Sequence, residues 1–209
     1  MEGEVNEMTK TEFAIRLKQG CARVMAAEGE LTEIDSHFGD ADHGLTMTKI
    51  AKAIAQAVDQ AEGGIQAMLD DAAMAVMSLN GGSAVPLWNT WLDGLQMDAP
   101  AGGEIDTVQL QAIFAKALEE LSDMSGAKVG DKTMMDALIP ASQAIAAYTG
   151  GDEEGLFAAA AQAAAEGAEA SKGFVSKFGR AKSYGAKTIG TPDAGAMSMS
   201  YFFQGLAGA

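Results

Sequence analysis

The sequence predicts an all-α fold in which eight helices pack antiparallel, up and down, as one domain spanning residues 1–209. Three observations predict it. Alanine, methionine and leucine are abundant while aromatics make up only 6% of the chain, a balance that favours helix over sheet. Apolar residues recur every three or four positions through most of the sequence, and no stretch makes a convincing strand. Glycine-rich and proline-bearing breaks divide that pattern at short intervals, so sequential helices are antiparallel neighbours. At 209 residues the chain is long enough to bury a full core.

Taken in order, Thr9-x-x-Glu12 is a capping box that opens the first helix, with Phe13, Leu17, Cys21 and Val24 on one stripe and Gly29 as its end. The second helix covers about 46–61, aligns Ile50, Ile54 and Val58, and breaks at Glu62-Gly63-Gly64. The third, about 65–79, turns Met68, Ala72, Ala75 and Leu79 inward before Asn80-Gly81-Gly82-Ser83 interrupts it, and the fourth covers about 86–97. Asp106 is the N-cap of the fifth, whose stripe is Leu110, Ile113, Phe114, Ala117 and Leu121. The sixth, 133–148, contains Pro140 as a candidate kink and stops at Gly150-Gly151. An alanine-rich seventh helix covers 153–171, a basic, glycine-punctuated segment without steady period follows over 172–192, and 194–206 is the eighth helix.

The formal charge of −15, from 29 acidic and 14 basic residues, argues against nucleic acid or an anionic membrane as partner. The single cysteine, Cys21, excludes an internal disulfide and sits on an apolar stripe, which makes it a core thiol. No charged-then-apolar leader opens the chain, and the longest apolar run, 156–161, is far short of the ~18 residues of a membrane span, so a soluble, cytoplasmic protein is expected.

In an up-and-down arrangement the loops after helices one, three, five and seven share one end. Those are 30–45, 80–86, 125–131 and 172–192, and they are the chemically loaded ones. The first contains Asp35, Asp40 and Asp42 with both histidines, His37 and His43. Asp40 and Asp42, two apart in extended backbone, can face one point, and a helical turn over 31–36 would bring Asp35 to it. Three converging carboxylates need a cation between them, and an all-oxygen donor set suits Mg²⁺. A solvated acidic loop whose aspartates cap helices is the plainer alternative. A calcium EF-hand fails because Gly44 falls at the fifth loop position instead of the sixth and Ala51 stands where glutamate is needed. Gly81-Gly82-Ser83-Ala84 precedes a helix, where free backbone N–H groups attract phosphate, or where Ser83 merely caps. The 126–133 run GAKVGDKT lacks the glycine and preceding strand of a nucleotide P-loop. Gly179-Arg180 offers a guanidinium fork for phosphate.

Gly39-Asp40-Ala41-Asp42-His43-Gly44-Leu45 with Asp35 ahead of it resembles the dihydroxyacetone kinase L subunit. The resemblance extends to Gly81-Gly82-Ser83, to Gly130-Asp131-Lys132-Thr133-Met134 with Asp136, to Gly179-Arg180-Ala181, and to Ile189-Gly190 followed by Pro192-Asp193-Ala194-Gly195-Ala196. It implies an eight-helix barrel with a nucleotide, ADP or ATP, at one end. Asp35, Asp40 and Asp42 would hold two Mg²⁺ and, with Arg180, form the catalytic set. His43, Gly44, Leu45, Thr46, Gly82, Ser83, Ala84, Gly130, Met134, Arg180, Asp193, Ala194 and Gly195 would bind the nucleotide. Local departures are Thr46 where asparagine is frequent, Val85 where glycine usually precedes the proline, Thr191 in place of histidine and Ala194 in place of proline.

By the same resemblance the activity is phosphoryl transfer to dihydroxyacetone, with the ketone held by a histidine of a separate K subunit, so this chain is expected to be half of an enzyme. A separate L subunit is expected to keep ADP as a fixed cofactor recharged by a phosphohistidine protein of a phosphoenolpyruvate-dependent phosphotransferase system. A transcriptional regulator and a second copy of the chain are further partners the family admits. The alternatives are an ATP-dependent kinase subunit for another small ketose, a fatty-acid-kinase-like nucleotide domain and a non-catalytic regulatory barrel.

Overall fold

In the computed structural model, which describes residues 7–208, the eight expected helices close into a ring. In chain order the α-helices are α1 (Lys10–Ala26), α2 (Glu28–Ser36), α3 (His43–Gln60), α4 (Ile65–Met77), α5 (Ala84–Met97), α6 (Thr107–Ser125), α7 (Met135–Ala147), α8 (Glu153–Ala170) and α9 (Ala194–Leu206). From α3 to α9 each helix packs on the next, and α1 fits between α3 and α9 to complete the barrel. The short α2 lies against α3 and α9.

Local chemistry accounts for most boundaries. Both expected caps form, and the structure makes the second a capping box as well: Thr9 Oγ1 accepts from Glu12 N–H at 3.3 Å and Asp106 Oδ1 from Gln109 N–H at 2.7 Å. Gly126 ends α6 in the left-handed conformation with φ of 64°. Pro140 lies inside α7, and Asp152 caps α8 by accepting from Gly155 N–H at 2.6 Å.

Two local expectations need correcting. The first helix ends at Ala26, not Gly29, because the chain turns at Ala27 and starts α2 at once, with Gly29 inside it. A strand pair also exists: β1 (Glu7–Thr9) pairs antiparallel with β2 (Glu104–Asp106). Three residues are too few to show a period of two, and the partner is remote in sequence, so no local pattern announces the pair.

The barrel interior is filled with aromatic side chains. Trp88, Trp91, Phe114, Phe157, Phe202 and Phe203 are each at most 2% exposed. Trp91 sits 5.5 Å from Trp88, 5.6 Å from Phe202 and 6.1 Å from Phe114, ring centre to ring centre, largely edge to face. Cys21 is fully buried, and burial pushes its thiol up to about 12, so it behaves as a small apolar group. No helix among the described residues is long and apolar enough to cross a membrane.

Candidate functional site at one end of the barrel

The four loops that helix counting assigned to one end meet around a single cavity of about 470 Å³. It is lined from the α2–α3 loop, the start of α5, the α6–α7 loop and the 172–192 segment. Helices α3, α5, α7 and α9 all begin there, so four helix N-termini direct their positive ends at one space. That field offsets some of the acidity of the chain where an anionic ligand would enter.

The acidic side is built by α2. As expected, a helical turn after residue 31 brings Asp35 to the loop, and Asp35 Oδ2 accepts from the backbone N–H groups of Asp42 at 3.1 Å and His43 at 3.4 Å. Asp35 therefore caps α3 across the loop. The turn is tight: a Cβ on Gly39 would fall 1.9 Å from Asp35 Oδ1, so only glycine fits, and Ala41 adopts a φ of 60°. The outcome is that one carboxylate oxygen from each of Asp35, Asp40 and Asp42 lies within 4.8 Å of the others. Asp40 and Asp42 are exposed and Asp35 is half-buried. An all-oxygen, accessible, clustered set with room beside it fits a hard divalent cation such as Mg²⁺.

The glycine-rich side is the start of α5. Ser83 makes no side-chain cap, contrary to the plainer expectation for it, so the first turn of α5 lacks a hydroxyl partner where Gly82, Ser83 and Ala84 line the cavity.

The basic side is the 172–192 segment, which contains Lys172, Lys177, Arg180, Lys182 and Lys187 and no acidic residue. Arg180 forms an ion pair with Asp40 across the mouth of the cavity. The Phe38 ring meets Tyr184 at 5.2 Å, a second contact between the same two walls. The segment is anchored from behind by the 128–133 loop. Lys177 Nζ reaches Asp131 Oδ1 at 2.6 Å and its N–H donates to Asp131 O at 3.1 Å. Asp136, fully buried, accepts from Gly130 N–H at 2.6 Å and Thr133 N–H at 2.7 Å. Lys132, with φ of 61° and 4% exposed, donates to Ser171 O at 2.7 Å and Thr191 O at 2.5 Å.

Burial sets the ionisation of this interior. It pushes the Asp193 carboxyl up to about 7, although Asp193 accepts from Ala196 N–H as the cap of α9. Burial likewise raises Asp136 and lowers Lys132, and in each case nearby groups oppose the shift: backbone N–H donors for Asp136, the Asp193 and Asp136 carboxylates for Lys132. The Lys177 ammonium and the Lys128 N–H hold Asp131 below the usual range. Burial lowers His43, with Asp35 opposing; its Nε2 lies 3.2 Å from Ser198 Oγ.

Most residues expected at the site line the cavity: Asp35, Asp40, Asp42, His43, Thr46, Gly82, Ser83, Ala84, Met134, Arg180, Asp193, Ala194 and Gly195. Three are placed elsewhere. Gly44 is a packing residue, because a Cβ there would fall 2.1 Å from Glu28 O of α2. Leu45, in the first turn of α3, is 52% exposed and does not line the cavity. Gly130 uses its positive φ and its N–H to shape the loop around Asp136. Lys132 and Asp136, by contrast, do more in the structure than their sequence motif suggests. The signal that could have flagged Lys132 is a lysine between Asp131 and Asp136 with Gly130 ahead, where a tight turn buries charge.

A family model described as DAK2 domain matches residues 37–208. D-erythrulose kinase of Mycolicibacterium smegmatis is 36% identical over 179 residues, which are 83% of this chain and 31% of that protein. The ADP-binding subunit DhaL of the PEP-dependent dihydroxyacetone kinase of Escherichia coli is 28% identical over 194 residues, 90% of this chain and 91% of that one. The crystal structure of the dihydroxyacetone kinase from C. freundii in complex with AMP-PNP and Mg²⁺ superposes with a TM-score of 0.70 over 100% of this chain and 36% of that one, at 22% identity. The chain thus spans about a third of the length of the erythrulose kinase it matches and nearly all of the E. coli subunit.

Proposed function

The chain belongs to the DAK2-domain family, and from that premise we propose that its cavity binds a magnesium-complexed adenine nucleotide for phosphoryl transfer to a small hydroxyketone. The observation that carries this reading is the Asp35, Asp40 and Asp42 cluster, with ligand oxygens within 4.8 Å, sharing one cavity with the uncapped start of α5 and with Arg180. Bound Mg²⁺ supplies charge neutralisation for the phosphates. Asp35, Asp40 and Asp42 would hold the cation, or the two ions that the family resemblance implies. Gly82, Ser83 and Ala84 present backbone N–H groups to the phosphates. Arg180 exchanges Asp40 for the transferring phosphoryl group, whose oxygens its guanidinium can grip in two places. Met134, Ala194 and Gly195 form the more apolar side on which the base rests.

Neither histidine is placed to hold a ketone: His43 is engaged by Ser198, and His37 Nδ1 lies 2.9 Å from Glu33 O. The reading therefore assigns ketone binding to a separate K-type subunit or domain docked over the cavity. The relatives bear separately on the donor and on the ketose. The likeness to the E. coli subunit, whose name gives it as PEP-dependent and ADP-binding, favours ADP as a retained cofactor recharged by a phosphohistidine protein. The higher identity to an erythrulose kinase favours a four-carbon ketose.

The test is calorimetry with ADP in the presence and absence of Mg²⁺, followed by turnover assays with a K-type partner. Magnesium-dependent ADP binding is the expected result, and equal affinity without the cation would overturn the reading. Sustained turnover on excess ATP alone would exclude the retained-ADP form, and comparison of dihydroxyacetone with erythrulose assigns the ketose.

A further inference from the structure

We propose that Lys132 is a positioning residue: its buried ammonium clasps both ends of the 172–190 segment and so holds Arg180 over the aspartate cluster. The inference rests on the nucleotide-site reading above for its consequence, and on geometry alone for the clasp.

The geometry has three parts. Ser171 O and Thr191 O lie on either side of the segment, and the single Lys132 Nζ donates to both. The ends are further joined by Gly190 N–H to Lys172 O at 2.8 Å and by Asp193 N–H to Ser171 Oγ at 2.9 Å. The side chain is delivered from a left-handed backbone conformation, which a lysine rarely adopts, inside a loop that Asp136 holds through two N–H groups. A desolvated cation and an uncommon backbone conformation at one residue both work against folding, and such features concentrate where a site must be held in place.

The clasp also explains why a segment without helical period, whose Arg180 is 64% exposed, can present that side chain at a defined point. Its two ends are closed by a charge-assisted donor instead of by apolar packing. An ammonium has three protons in a tetrahedral array. Two meet the carbonyls of Ser171 and Thr191. An arginine at this position would be planar and longer, so it could not reproduce the geometry.

The experiment uses the full chain with Lys132→Met, Lys132→Arg, Arg180→Ala and the Lys132→Met, Arg180→Ala pair. Hydrogen exchange over 172–190 reads the clasp directly, and Mg·ADP affinity by calorimetry reads its consequence. In Lys132→Met the segment should lose protection while the α1, α5 and α6 cores keep theirs, and Lys132→Arg should not restore it. Affinity for Mg·ADP should fall about tenfold in Lys132→Met, and Arg180→Ala should then add little, because the two losses share one cause. A merely structural lysine would give additive losses, and that result overturns the proposal. Unchanged exchange in 172–190 overturns it as well. If the wild-type chain bound no Mg·ADP, the reading of the site would fall, and exchange alone would decide the clasp.

Discussion

On the acidic wall of the cavity Asp40 and Asp42 are exposed, and only Asp35 is tied to backbone donors. On the opposite wall Lys132 and Asp136 are 4% and 0% exposed, and their polar atoms are engaged by the protein itself. The first wall leaves its charge available to a ligand and contributes little to folding. The second commits its charge to holding backbone in place, because a buried ion without partners costs far more than an exposed one. Substitutions in the two walls should therefore separate binding from stability.

The largest effect is expected from removing two charges of the acidic wall. Asp40→Asn with Asp42→Asn should weaken Mg·ADP by about 3–5 kcal/mol, roughly a hundredfold to a few thousandfold, by calorimetry. Thermal melting should be unchanged or slightly higher, since repulsion among the carboxylates is relieved. A large loss of melting temperature would break the comparison.

Next comes the buried wall. Asp136→Ala leaves the N–H groups of Gly130 and Thr133 without their acceptor, and should cost about 2–4 kcal/mol in urea unfolding at one to two for each buried donor. A variant as stable as wild type would show that water reaches this loop and that the wall is not dry.

The pH dependence of Asp193 sharpens the comparison further. Folded, its carboxyl keeps the proton up to about pH 7, whereas the unfolded chain releases it near the ordinary aspartate value of 3.8. Between those values the unfolded state sheds a proton that the folded state retains, so stability falls as pH rises, and above pH 7 the cost stays constant. The size is on the order of 1–2 kcal/mol, allowing for partial solvation of the carboxyl. Asp193→Asn keeps an acceptor for the Ala196 N–H and should lack this slope in unfolding measured from pH 4 to 8.

The smallest effect is expected at Lys177, whose side chain is 61% exposed. Lys177→Ala should cost less than about 1 kcal/mol at low salt and nearly nothing at high salt. Because the partner Asp131 titrates below its ordinary range, what stability the pair adds is present at neutral pH and lost as the solution becomes strongly acidic.

Much of this arrangement is legible before folding is considered. The capping box at Thr9 and the N-cap at Asp106 place helix starts to the residue, and helix parity brings the aspartate, glycine and basic loops to one end. The nine-residue α2 is less so: its apolar face is little more than Leu31, and its main product is the placement of Asp35. Gly44 and Leu45 show the converse limit. They stand in the motif beside Asp42 and His43, yet helical rotation turns one onto α2 and the other to solvent.

By itself the sequence determined the helices, the apolar stripes that become the core, and which loops share an end, because periodicity, caps and breakers act between residues a few positions apart. Tertiary structure alone decided how closely the expected aspartate cluster draws together, within 4.8 Å, that Arg180 crosses to Asp40, and that Lys132 reaches Ser171 and Thr191. It also decided that β1 finds β2. Most of these contacts join distant parts of the chain, and even the aspartates depend on one tight turn. Such contacts form only once the barrel closes, and the burial that shifts Asp193 and Lys132 exists only then.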